Sequence, residues 1–387
     1  MKSPLSCALL GIMLLSACSS GRGVEAAGPA GAPLAGLSQA ELARFAAGRT
    51  LFAKEYTPAE GLGPLFNERR CGSCHDLPTL GGTGVEMVTK ATRFEAGHCD
   101  LLSAEGGDNI QRHATPLLEA AGIRHEDVPR DANAFTDLVP PALYGLGLVE
   151  AIPDADIVAR ERSGGGTVTG RAARTASGRV GRFGRKGEFA TVAEFVEQAI
   201  RTEMGLTTPQ HPAEETINGR PLPPGVDPAP DPEVPQATLD ALTDYVRFLA
   251  PPARDVATGA ARDSLAGGER TFAAIGCANC HVASMTTGRS VQPSIDRRVI
   301  HLYSDLLLHE MGPRLAGNCG AAAAPGVWRT APLMGIHLRQ SYLHDGRAPG
   351  IEGAIEQHDG EARRARAAFE GLDAPTRRLL VRFVRSL

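Results

Sequence analysis

Cys71-Gly72-Ser73-Cys74-His75 and Cys277-Ala278-Asn279-Cys280-His281 are two copies of one pentad, C-x-x-C-H. The spacing has a chemical reading. Two thiols three positions apart on one helical turn can each add to a vinyl group of haem, and the adjacent His then offers an imidazole nitrogen to the iron. A redox dithiol needs no His after its second Cys, and a zinc site built from both pairs would need neither His. With 8 Cys and 11 His in 387 residues, one such pentad by chance is roughly a sub-per-cent event. The two pentads therefore predict two covalently bound haem c groups.

Working outward, the N-terminus supplies the compartment. Lys2 gives a positive start, Ala8 to Leu15 is nearly unbroken apolar sequence, and Leu15-Ser16-Ala17-Cys18 follows. Small residues ahead of a Cys after a short apolar core make a lipoprotein-type signal over residues 1–18, with Cys18 as the lipid-bearing first mature residue. An ordinary signal peptide cut nearby is the alternative. The apolar run is shorter than the ~20 residues a membrane span needs. Ser19 after the anchor favours the periplasmic face of the outer membrane. Residues 19–37 are rich in Gly, Ala and Pro and read as a flexible tether. Cys7 leaves with the signal, Cys18 takes lipid and four cysteines hold haem. Cys99 and Cys319 remain, either as a disulfide suited to an oxidising compartment or as two buried thiols. The net charge of -4 carries little information, and nothing in the composition points to nucleic acid. Aromatic residues make up only 5%, so haem would supply much of the core's flat apolar surface.

The rest of the chain reads as mostly α. Ser38 caps a helix to Tyr56, with Glu41 completing a capping box. Residues 85–135 give a mixed signal, and 139–153 read as turn, short helix and turn. Residues 167–186 alternate Gly, Arg and β-formers and predict a hairpin, whose arginines face either haem propionates or solvent. Residues 191–204 and 239–249 read as helices, separated by a Pro-rich extended loop over 207–235. Pro251-Pro252 marks a linker. A helix over 265–272 runs into the second pentad, and 375–387 closes the chain as a helix. Each pentad follows a helix that carries a Phe. This predicts two cytochrome c-like haem domains, 38–260 and 261–387, the first holding a long insertion with a small β-hairpin.

Several long stretches, in order, resemble the di-haem oxidoreductases of the peroxidase-like, thiol-oxidoreductase-like family, relatives of the bacterial di-haem cytochrome c peroxidases. They are GLGPLFNERRCGSCHDLP (61–78), PALYGLGLVEAIPD (141–154), RFGRKGEFATVAEFVEQAIRTEMGLTTP (182–209), CANCH (277–281), YSDLLLHEMGPRLA (303–316), WRTAPLMGI (328–336), YLHDGRA (342–348) and AIEQHDGEA (354–362). Ala331 departs from the family, which usually has two prolines after the Arg-Thr of the late motif. In the relatives a distal ligand lies a fixed distance after the His-Asp-Gly motif. The same count from His344 reaches His358, which implies His281/His358 ligation of the second iron, with His309, Met311 and His344 as competitors. The resemblance also implies a calcium ion near Thr330 and Pro332. Trp328 reads either as an electron relay between the haems or as a packing residue.

A haem with two strong axial ligands shuttles electrons, whereas one with an open position can bind peroxide. No distal ligand stands out for the first haem. His113, then His98, is the candidate there, and His113 is also the candidate acid–base group. The expected function is a di-haem oxidoreductase of peroxidase type. The first haem would react with hydrogen peroxide or another small substrate, and the second would relay electrons from an external donor protein. A pure electron carrier with both irons six-coordinate is the alternative.

Overall fold

The computed structural model describes residues 27–162, 168–254 and 258–387. Cys18, the signal and Thr167 lie outside the described residues.

The first helix, Gln39–Ala53, begins at Ser38. The Ser38 hydroxyl accepts from the Glu41 amide at 3.3 Å, and the Glu41 carboxylate accepts from the Ser38 amide at 2.6 Å. Two backbone donors that the helix cannot satisfy are thereby satisfied. This helix crosses Gln236–Phe248 at close range. A Cβ on Gly48 would lie 2.0 Å from the Ala241 carbonyl oxygen, so only glycine fits. Phe45 and Phe52 both pack against Tyr245, at 5.1 and 4.9 Å between ring centroids. Val192–Met204, capped by Thr191 and Glu194, packs on the same partner helix.

The second half repeats this device. Ala260–Ala274 crosses Ala374–Arg385, and a Cβ on Gly268 would meet the Leu379 carbonyl oxygen at 2.2 Å. Phe272 packs against Phe383 at 5.4 Å. In each half the glycine is followed four residues later by a Phe whose ring contacts the pentad His. Phe52 lies 6.2 Å from His75 and Phe272 lies 6.3 Å from His281. The halves are not sealed from each other. Met285, Ile300, Leu302, Leu306 and Leu307 follow the second pentad yet pack into the first core.

Strand content exceeds a single hairpin. The expected hairpin is present as Ala173–Arg174 against Val180–Gly181. In addition, Val88–Glu95 pairs antiparallel with His98–Asp100, Asn109–Ile110 and Ala134–Leu138 in a four-stranded sheet. Ala91 and Thr92, adjacent residues on opposite faces, are both fully buried, so the strand lacks the alternation that marks a half-buried one. A disulfide joins Cys99 on this sheet to Cys319. Among the described residues no helix is long and apolar enough to cross a membrane.

Candidate active site

The second pentad opens onto a cavity of about 460 Å³, within the range of small-molecule sites. Cys277, Cys280 and His281 line it on one side, and His358, at the C-cap of the Ile351–Gln357 helix, lines it as well. The His281 Nδ1–H donates to the Tyr303 carbonyl at 2.9 Å, and the His358 Nδ1–H donates to the Ala354 carbonyl at 2.8 Å. A carbonyl can only accept, so each ring carries its proton on Nδ1 and keeps a lone pair on Nε2. That is the arrangement by which proteins orient a metal-ligating His. Burial favours the neutral rings, lowering His281 to about 4 and lowering His358 as well.

Besides Arg364 and Arg366, three guanidiniums reach the same cavity: Arg185, Arg329 and Arg339. Burial lowers all three, and the neighbouring Arg339 and Arg329 charges lower Arg185 further, to about 9. No ion pair joins them to a carboxylate among the described residues, and Arg185 and Arg339 each leave a buried Nε unsatisfied. Guanidinium stays charged, so this is buried charge that only carboxylates at longer range, Glu188, Asp305 and Asp345, offset. Such a cluster calls for anions. Apolar walls, Nε2 lone pairs and unpaired guanidiniums together fit haem, a flat apolar ring with two carboxylates.

Trp328 forms part of the wall. It stacks on His344 at 3.9 Å and 19°, and the Lys186 ammonium lies 3.3 Å from its ring centroid, necessarily on the other face. Lys186 is 1% exposed and donates to the carbonyls of Ala324, Pro325 and Val327. His309 also lines the cavity, but both its nitrogens are engaged: Nε2 with Asp305 and Nδ1 with Glu361, each at 2.9 Å. It has no lone pair to offer a metal.

The first pentad forms a one-turn helix, Cys71–Cys74. The His75 Nδ1–H donates to the Gly82 carbonyl at 2.9 Å, and the Pro141 carbonyl is a second acceptor beside the ring. A Cβ on Gly82 would meet the Leu77 carbonyl oxygen at 1.9 Å, and one on Gly84 would meet that of Cys74 at 2.3 Å. The glycine-rich turn thus serves close packing against the backbone of the pentad and of the residues just after it. Burial pushes the Cys71 thiol up to about 12, and raises Cys74 with help from the Glu203 carboxylate. Cys277 is likewise pushed to about 12 by burial. Thiols this reluctant to ionise are poor in disulfide exchange.

Glu203 stands at the C-terminal turn of Val192–Met204. Its carboxylate accepts from Asn67 Nδ2 at 2.8 Å, and its carbonyl accepts from the Asn67 amide at 2.7 Å and the Glu68 amide at 3.1 Å, just before Cys71. Burial raises its carboxyl above the ordinary range, against the pull of Lys90. Met204 follows, with Sδ 3.9 Å from Cys71 Sγ.

A family model described as "Di-haem oxidoreductase, putative peroxidase" matches residues 135–387. The chain belongs to the di-haem oxidoreductase family. The match spans the second pentad, His358 and Glu203, and begins after the first pentad. Among solved structures, the chain is similar to xenon-pressurised hydrazine synthase of Kuenenia stuttgartiensis, with 13% identity over 100% of both chains and a TM-score of 0.44. It is also similar to the Y463M variant of the diheme peroxidase BthA of Burkholderia thailandensis E264, with 15% identity over 89% of this chain and 85% of that one, and a TM-score of 0.39. No curated protein matches.

Within this di-haem oxidoreductase, His281 and His358 share a cavity, with Trp328, Thr330 and Pro332 in its wall. The Thr330 carbonyl accepts from Ser304 Oγ at 2.7 Å and from Arg329 at 3.3 Å. His113 and His98 are exposed on strands, and His113 contacts the outer side of the first site beside Phe66 and Ser73. Glu203 was not among the residues read from the sequence as chemical. A signal was present: a carboxylate in the last turn of a helix opposes the helix dipole, so its placement there asks for a reason.

Proposed function

We propose that this chain is a peroxidase-like oxidoreductase that carries two haem c groups. Cys71, Cys74 and His75 would hold the first, and Cys277, Cys280, His281 and His358 the second, with Arg185, Arg329 and Arg339 binding carboxylates of the latter. The observation that carries this reading is shared by His281 and His358, which line one cavity: each donates Nδ1–H to a backbone carbonyl and keeps Nε2 free, and His75 makes the same Nδ1 contact. The repeated glycine crossing and Phe–His contact support two cytochrome c-like units. When bound, haem supplies an iron that takes up and gives off electrons. The chain's residues do the rest. Glu203, its carboxylate held in place by Asn67, would serve as the group that moves a proton between the peroxide oxygens. Two electrons from an external donor protein and two protons complete reduction to two waters. Trp328, sandwiched between Lys186 and His344, is the candidate relay.

The Cys99–Cys319 disulfide supports an oxidising, periplasmic location, and lipid on Cys18 would tether the protein to the membrane. The second reading, an electron carrier with both irons six-coordinate, draws on Met204, whose thioether lies beside Cys71. Low-temperature electron paramagnetic resonance of the ferric holoprotein decides between them. The peroxidase reading expects one high-spin signal that responds to peroxide, and the carrier reading expects two low-spin signals that do not. His358→Ala is expected to add a high-spin signal from the second haem, and an unchanged spectrum would reject that ligand.

A further inference from the structure

We infer that His309 is a positioning residue: held between Asp305 and Glu361, it ties the distal-ligand segment of the second haem to the proximal segment. This rests on the reading of His358 as an iron ligand. His309 Nε2 lies 2.9 Å from Asp305 and Nδ1 lies 2.9 Å from Glu361, with His309 and Asp305 side chains 3% and 4% exposed. Carboxylates on both nitrogens require both protons, so His309 is an imidazolium.

Each carboxylate leads to one side of the site. The Asp305 amide donates to the Cys280 carbonyl at 2.8 Å, and Tyr303, two residues earlier, accepts the His281 ring proton. Glu361 follows His358 by three residues. It also accepts from Thr169, through both amide and hydroxyl, and from the Glu310 amide. Gly360 lets the segment lie against strand Leu308–Glu310, since a Cβ there would meet the Glu310 carbonyl oxygen at 2.1 Å. By contrast, the contact that orients the His358 ring is local, to Ala354 within its own helix turn. Nothing in that bond fixes the distance from His358 to His281. The buried ion triad does, because losing one member leaves uncompensated charge in a low-dielectric interior. The strand position of His309 adds stiffness, since it pairs directly with Trp328.

The test uses ferric holoprotein carrying Glu361→Gln, His309→Gln or His358→Ala, with haem content and circular dichroism confirming folded, loaded protein. Glu361→Gln is the mild variant, keeping shape and hydrogen-bonding capacity while removing charge. The expected result is a high-spin fraction of the second haem in both clamp variants, returned to low spin by added imidazole. If His358→Ala turns high-spin while both clamp variants stay low-spin, the clamp is overturned and the ligand stands. If His358→Ala stays low-spin, the ligand assignment fails and the clamp with it. A high-spin signal that imidazole does not quench would mean pocket collapse, and also overturns the proposal.

Discussion

Glu203→Gln is expected to lower kcat/KM for peroxide reduction by about 10²–10⁴-fold, the usual contribution of a placed acid–base group, while both haems stay attached. The substitution keeps the shape and the Asn67 contact but removes the carboxylate's ability to take up a proton. Burial raises the Glu203 pKa above 4.5. The base form is therefore lost at a higher pH than for an exposed Glu, and the acid limb of kcat/KM should lie above pH 4.5 and disappear in the variant. His113→Ala, at an exposed position, is expected to leave both rate and profile unchanged. Full activity in Glu203→Gln would remove the carboxylate from the mechanism.

Replacing Cys99 and Cys319 by Ser is expected to cost about 5 kcal/mol, the chain-entropy value for a loop of this length. The bridge spans 220 residues and ties the four-stranded sheet to the second half of the chain. The apparent thermal midpoint should fall by on the order of 10 °C. The Cys319 amide also donates to Thr92 Oγ1 at 2.9 Å, so that contact should persist and the native spectrum should be retained at low temperature. A midpoint unchanged by reduction or by the double substitution would show that the bridge does not constrain the unfolded chain.

What could be read from the sequence was local. Each pentad states its chemistry within five consecutive residues, and Ser38 with Glu41 states a helix start within four. The crossing helices were legible as helices, but their close approach rests on Gly48 meeting Ala241 and Gly268 meeting Leu379, pairs far apart in sequence. The four-stranded sheet was missed because its central strand buries Ala91 and Thr92 rather than alternating residues. His309 could stand among the iron ligands only until Asp305 and Glu361 were seen on both its nitrogens. Glu203 was hidden for the same reason: its role depends on Asn67 and Cys74, brought close by the end of a helix more than a hundred residues away. Arg329 and Arg339 look like ordinary surface charge until folding buries them with Arg185, one of the hairpin arginines that the sequence left facing either haem propionates or solvent.

The most direct test of the whole account is intact-mass spectrometry of the chain matured in a host that assembles c-type cytochromes, alongside Cys71→Ala/Cys74→Ala and Cys277→Ala/Cys280→Ala variants. The account predicts two thioether-bonded haems on the native chain and one on each variant. A native chain bearing no covalent porphyrin, or only one, would contradict it.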